Sequence, residues 1–118
     1  MKKIEAIIRK SKFENVKQAL YDAGIDWFSY WDMTGLGTSS EEQLVRGQIF
    51  QSHYIHRRML SIVVRDINME CTVNAILDSA YTGETGDGKI FVYDILETYR
   101  IRNRETGAGA LYDHELDV

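Results

Sequence analysis

Tyr81-Thr82-Gly83-Glu84-Thr85-Gly86-Asp87-Gly88-Lys89-Ile90-Phe91-Val92-Tyr93-Asp94-Ile95 is a glycine-rich turn carrying one lysine, and it runs directly into β-branched and aromatic residues. The glycines at 83, 86 and 88 supply backbone freedom for φ > 0 and leave N–H groups uncovered by side chains. Such N–H groups with a lysine at the lip form a seat for phosphate oxygens, yet the same residues also make an ordinary turn between a helix and a strand. The spacing is not that of a P-loop, because Ile90 follows the lysine where Ser or Thr is required. What precedes and follows the turn decides the topology.

Upstream, Val73, Ile76, Leu77 and Ala80 recur at helical spacing, with Asp66 or Asn68 placed to cap the helix. Before that, Met59–Val64 is a β run. At the start, Lys3–Arg9 alternates, with Ile4, Ala6 and Ile8 on one face. Ser11-Lys12-Phe13-Glu14 then reads as a capping box. Val16, Ala19, Leu20 and Ala23 mark the helix that follows, and Gly24 suits its C′ position. The aromatic run Trp27–Met33 reads as a strand ended by Gly35-Leu36-Gly37, and Ile90–Ile95 as the last strand. The order is β-α-β-β-α-β, the split βαβ pattern of ferredoxin-like α+β folds with an antiparallel sheet. That topology hosts many functions.

Between Thr38 and His56 the periodicity dissolves into polar residues, giving a connection of about 20 residues that joins strands two and three as a greatly extended hairpin. Loops beyond roughly 12–15 residues in small domains are commonly functional or disordered. After the last strand, Tyr99-Arg100-Ile101-Arg102 places two arginines on one side if the chain stays extended. Residues 103–118 are polar and glycine-containing, a tail or loop that orders on binding.

Composition narrows the classes. With 118 residues the chain is one domain, and 44% apolar with 27% charged residues is a soluble globular balance. A net charge of −4 disfavours generic nucleic-acid binding, which wants a basic face. No apolar run approaches the ~20 residues of a membrane span, and Met1–Glu5 is too charged for a signal peptide. Cys71 is the lone cysteine, which fits a packed thiol in a reducing cytoplasm. His53, His56 and His114 raise a metal site, but His53 and His56, three apart, have no acidic or cysteine partner at ligand spacing, and no zinc site is expected. No carboxylate pair or nucleophile–base pair stands at catalytic spacing, so the chain reads as a non-enzyme. Three pieces remain at element ends: Gly35-Leu36-Gly37, Gly86-Asp87-Gly88-Lys89, and Arg100 with Arg102. Arginine forks, a lysine point charge and glycine amides together make a nucleotide-phosphate site, whose parts can meet across a subunit boundary.

The start Lys2–Ile8, the segment Thr82–Val92 and Arg100-Ile101-Arg102 with Glu105-Thr106-Gly107 carry a resemblance. The chain resembles the PII nitrogen-regulatory signal-transduction proteins over about residues 1–111. The resemblance implies a single domain over 1–118 that assembles as a compact homotrimer, with a T-loop at about 37–56, a B-loop at about 82–89 and a C-terminal loop at about 103–118. It implies ATP or ADP in the clefts between subunits, with Mg2+ accompanying ATP. Gly86, Asp87, Gly88 and Lys89 would hold phosphates, and Arg100 and Arg102 would reach them from the neighbour. Gly35, Gly37 and Thr38 would line the cleft, and Ile7, Ser29 and Val63 would surround the adenine. Ser61 stands where an acidic nucleotide contact is usual.

For 2-oxoglutarate the resemblance points to Ser39 and Arg57, but Ser39 replaces the usual glutamine and Arg57 the usual lysine, so sensing of that effector is left open. Phe50 replaces the tyrosine that relatives uridylylate and offers no hydroxyl. Arg46 and Phe50 would face the target, most readily an ammonium transporter that would bring this cytoplasmic protein to the membrane. A regulator of nitrogenase or of another metabolic enzyme is the alternative within the family. A ferredoxin-like trimer that binds metal or another small ligand is the alternative outside it.

Overall fold

The structure is a computed structural model that describes residues 1–45 and 48–111, with side chains described over 1–37 and 53–111. Its elements are β1 (Lys2–Ile8), α1 (Phe13–Asp22), β2 (Ser29–Val45), β3 (Gln48–Val64), α2 (Met69–Ala80) and β4 (Lys89–Asp94). The strands form one sheet in the order β2-β3-β1-β4, and every pairing is antiparallel. This is the expected split βαβ arrangement.

Alternation along β1 sends Ile4, Ala6 and Ile8 to one face, where they are essentially fully buried with Leu60, Ile62 and Val64 of β3. Both helices cover that face, α1 through Phe13, Val16 and Leu20 and α2 through Thr72, Ile76 and Ala80. The α2 stripe is therefore rotated from the expected one: Thr72 is buried and Leu77 is half exposed. Thr72 is admitted because its hydroxyl donates to the Asn68 carbonyl at 2.6 Å, which removes the cost of burying it. Neither expected cap forms. Ser11 sits in a 3-10 turn (10–12) ahead of α1, and Asn68 takes helical angles with no capping bond from its side chain. Gly24 does end α1, at φ 84°.

Among the described residues, the opposite face of the sheet carries no helix. Residues directly across a ladder share a face, so Lys3, Glu5 and Ile7 stand with Met59, Ser61 and Val63, with Ser29 and Trp31, and with Lys89, Phe91 and Tyr93. Trp31, Val63, Phe91 and Tyr93 are exposed there.

The connection expected as a greatly extended hairpin is strand-paired along much of its length. β2 and β3 continue as a two-stranded ribbon, with Glu41↔Ser52 through Val45↔Gln48 in register. β1 last meets β3 at Ile8↔Arg58, so ten residues of β3, 48–57, run on alone, about 33 Å at ~3.3 Å per residue. The chain accordingly measures 55 × 25 × 24 Å. Among the described residues the ribbon is interrupted once, between the pairs Leu36↔Tyr54 and Glu41↔Ser52, where four residues (37–40) oppose the single residue His53.

Candidate nucleotide site

The glycine-rich turn is fixed from its own side chains outward. Asp87 turns its carboxylate back on the turn and accepts from the Thr82 amide at 2.8 Å, the Gly83 amide at 2.9 Å and the Thr82 hydroxyl. The Arg9 guanidinium adds a fourth donor at 3.2 Å and also donates to the Thr85 carbonyl at 2.9 Å. The Thr82 bonds, with the Gly83 and Arg9 bonds behind them, hold the Asp87 carboxyl well below the usual carboxylate range. Asp87 thus organises the loop from within.

Gly86 and Gly88 adopt φ of 100° and 105°, which side-chain-bearing residues rarely take. A Cβ on Gly88 would fall 1.7 Å from the Ile7 carbonyl oxygen, so the turn lies directly on β1. A Cβ on Gly86 would lie 2.9 Å from an Arg57 nitrogen and 3.2 Å from an Arg9 nitrogen. Both positions therefore demand glycine, one packed on β1 and the other against two guanidinium groups, just ahead of Lys89, whose exposed side chain starts β4 on the face with Ile7. That arrangement fits a phosphate group, which seeks amide donors and a nearby cation.

Gly35 pairs with Ile55 at the same end of the sheet as this turn, and Arg57, two residues along β3, donates to the Gly86 carbonyl of the turn. Ile7, Ser29 and Val63, the expected adenine neighbours, lie on the helix-free face beside Lys89. Arg58 points the other way. It donates to Asp32 at 2.7 Å and stacks on Phe13 and Tyr30, 4.5 and 5.2 Å from the ring centroids. That bond holds the Asp32 carboxyl below its ordinary range.

Arg100 and Arg102 are not brought to this end. β4 passes from Lys89 beside Ile7 to Asp94 beside Lys2, about 17 Å away. The following segment is then held at Met1, through Ile95 N–H to the Met1 carbonyl and the Thr98 hydroxyl to the Met1 sulfur. The expectation that the two arginines share an extended face is not met, because 101–103 form a turn. The Arg100 guanidinium is 8% exposed and binds the Glu105 carboxylate and the Gly109 carbonyl, whereas Arg102 is exposed. Arg46, His114 and the rest of 112–118 lie outside the described residues, as do the side chains of Thr38, Ser39 and Phe50.

The space beneath the glycine-rich turn, between Ile7, Ile76, Ala80 and Ile90, is about 120 Å3 and apolar, room for about four waters at ~30 Å3 each. A groove of about 570 Å3 runs along α1 past Phe13, Tyr21 and Trp27, away from the glycines.

Sequence reasoning missed Arg9, Thr82, Asp32 and Arg58 as parts of this construction. The turn's wealth of Thr and Asp was the available signal, since both side chains bond locally to backbone amides.

A split βαβ domain with a glycine-rich turn laid on β1 and a projecting ribbon is an architecture that hosts many functions. Comparison with known proteins makes the assignment specific: the family model described as nitrogen regulatory protein P-II matches residues 1–105, and the chain belongs to that family. It is 41% identical over 112 residues to nitrogen regulatory protein P-II 1 of Methanothermobacter thermautotrophicus, covering 94% of this chain and 97% of the relative. It is 38% identical over 112 residues to nitrogen regulatory protein P-II of Rhizobium meliloti, covering 94% of this chain and all of that one. Among solved structures it is similar to GlnK of B. subtilis, with a TM-score of 0.77, 30% identity, and coverage of 93% and 97% of the two chains. The protein is a non-catalytic nitrogen-regulatory signal transducer of the PII family.

Proposed function

We propose that the chain is a sensor of ATP and ADP that works as a homotrimer, with nucleotide bound between subunits and the ribbon docking on a target. The observation that carries this reading is Gly86-Asp87-Gly88-Lys89: two glycines at φ near 100°, one pressed on the Ile7 carbonyl, beside an exposed lysine. The phosphates would lie along Gly86 and Gly88 with Lys89 as counter-charge, and Mg2+ would be held by the phosphate oxygens of ATP. The adenine would sit toward Ile7, Ser29 and Val63 on the helix-free face, and Gly35, Gly37 and Thr38 would close the cleft from the ribbon's base. Arg102 would reach in from the neighbouring subunit, steadied by the Arg100–Glu105 pair behind it. Trimer formation is supported by Trp31, Val63, Phe91 and Tyr93, large apolar side chains exposed on that one face.

Within this reading the ribbon, carrying Arg46 and Phe50, is the output, and nucleotide shifts it between arrangements that a target distinguishes. The favoured target is an ammonium transporter, met at the membrane from the cytoplasm; no described helix is long and apolar enough to cross a membrane itself. 2-Oxoglutarate is not part of the proposal, because Ser39 replaces the usual ligand and Arg57 is engaged on backbone carbonyls. Isothermal titration tests the nucleotide step. ATP and ADP should each give saturable heat, and Lys89→Ala should weaken ATP roughly 10–100-fold, the scale of one charge-assisted contact. No heat with either nucleotide would reject it. Affinity capture from membranes of ammonium-shocked cells tests the target, and absence of any transporter among the captured proteins would remove that partner.

A further inference from the structure

Arg57 and Arg58 are adjacent on β3 and leave the sheet on opposite faces at the ribbon's root. Arg58 fastens β3 to Asp32 of β2 and to the aromatic rings beneath. Arg57, 9% exposed, reaches across to the glycine-rich turn instead: its Nε donates to the Gly86 carbonyl at 3.2 Å and its Nη1 to the His56 carbonyl at 2.8 Å. One rigid guanidinium thus bonds a carbonyl of the ribbon strand and a carbonyl of the turn. Gly86 is the residue whose missing Cβ leaves room for this approach, since a methyl there would stand 2.9 Å from an Arg57 nitrogen.

Arg9 grips the same turn at Thr85 and Asp87, but from the end of β1, which takes no part in the ribbon. The two arginines therefore divide the work. Arg9 holds the turn to the sheet's centre, and Arg57 alone of the two holds it to the ribbon. Directly beyond the Arg57 level the ladder runs on through His56↔Thr34 and Leu36↔Tyr54 before the interruption at 37–40. A displacement of Gly86 is thereby carried into the root of the ribbon on the near side of its one irregularity.

We propose that Arg57 is a positioning residue, a latch that couples the glycine-rich turn to the ribbon, rather than a receptor for a carboxylate effector. The coupling role rests on the turn being the nucleotide seat, whereas the latch itself does not. A ligand that moves the Gly86 carbonyl pulls on, or releases, the guanidinium, and the His56 strand follows.

Amide hydrogen exchange on the full chain separates the two levels. Without nucleotide, Arg57→Gln should raise exchange at 82–88 and at 54–58 about tenfold, as loss of a charge-assisted bond to each segment requires. Arg57→Lys, which keeps the charge but cannot span two carbonyls with fixed geometry, should fall between. Arg9→Gln should raise exchange at 82–88 while leaving 54–58 unchanged. With saturating ATP or ADP as probe, the wild type and Arg9→Gln should show a change at 48–56 that Arg57→Gln lacks. Unchanged exchange at 82–88 in nucleotide-free Arg57→Gln would overturn the latch, and so would a nucleotide response at 48–56 that survives in that variant. If neither nucleotide binds the wild type, the nucleotide reading fails, and the nucleotide-free comparison still decides whether Arg57 joins the two segments.

Discussion

Gly88→Ala is the substitution that the turn tolerates least. Two costs add. At φ 105° an L side chain is held in a sparsely populated region, costing about 1–3 kcal/mol. Its Cβ would also meet the Ile7 carbonyl oxygen at 1.7 Å, and this neighbour is backbone in a strand whose flanking Ala6 and Ile8 are fully buried, so it has no rotamer by which to move aside. Forcing such an overlap into a packed region costs a further ~1–3 kcal/mol. The sum, about 4 kcal/mol, is a large part of the ~5–15 kcal/mol that keeps a domain folded. At roughly 3–5 °C per kcal/mol for a chain this long, the melting temperature should fall by about 12–20 °C.

Two companion variants separate the terms. In Gly83→Ala the new methyl meets only the hydroxyl end of Tyr81, at 2.8 Å, and Tyr81 is exposed and free to turn, so the φ of 86° contributes the main cost. In Gly35→Ala the nearest atom is 3.8 Å away, and stability should barely change. Thermal and urea unfolding at one fixed protein concentration would rank the three, since assembly makes stability concentration-dependent. A Gly88→Ala protein as stable as Gly35→Ala would refute the close approach of turn to β1.

Asp87→Asn should flatten the acid side of the stability profile. The Asp87 carboxyl is depressed in the folded state, so its contribution is present above the unfolded value of about 3.9 and is lost as pH falls below it. Urea midpoints from pH 7 down to pH 3 should therefore drop less steeply in the variant, and parallel curves would count against the turn's internal anchor. Arg100→Ala should lower stability by about 2 kcal/mol through loss of charge-assisted bonds to Glu105 and the Gly109 carbonyl. The melting temperature would then fall by roughly 6–10 °C. Ile101→Ala, at a side chain 97% exposed, should not move it.

The two-helix, four-strand order was legible because β1, β3 and both helices bury one face each, and burial imposes a period. Ile4, Ala6 and Ile8 alternate as a half-buried strand must. The ribbon was illegible for the complementary reason: beyond Arg58 it has no third strand to pair with. A pattern that burial imposes is absent from a two-stranded ribbon, whose pairing is made by backbone hydrogen bonds that any residue supplies. Helix starts misled because Ser11 and Asn68 fall in or beside 3-10 turns that take over the capping position. At the candidate site the glycines were readable, since few residues accept their φ. Arg9 was not, and Arg57 was singled out through the resemblance alone, because their partners are carbonyls about 75 and 30 residues away that no local pattern records. Arg100 looked like its neighbour Arg102 in sequence and differs from it by burial alone.

The intersubunit phosphate site is tested most directly by mixing two defective variants. Lys89 and Arg102 lie at opposite ends of the sheet in one chain, so one nucleotide would draw them from different subunits. Lys89→Ala and Arg102→Ala should each weaken ATP as pure proteins. When the two are unfolded together and reassembled in equal amounts, random three-membered rings should restore intact sites at roughly one quarter of all interfaces. Titration should then recover wild-type-like affinity at about that stoichiometry. Failure to recover any tight site, with mixed trimers shown to form, would contradict a cleft shared between subunits.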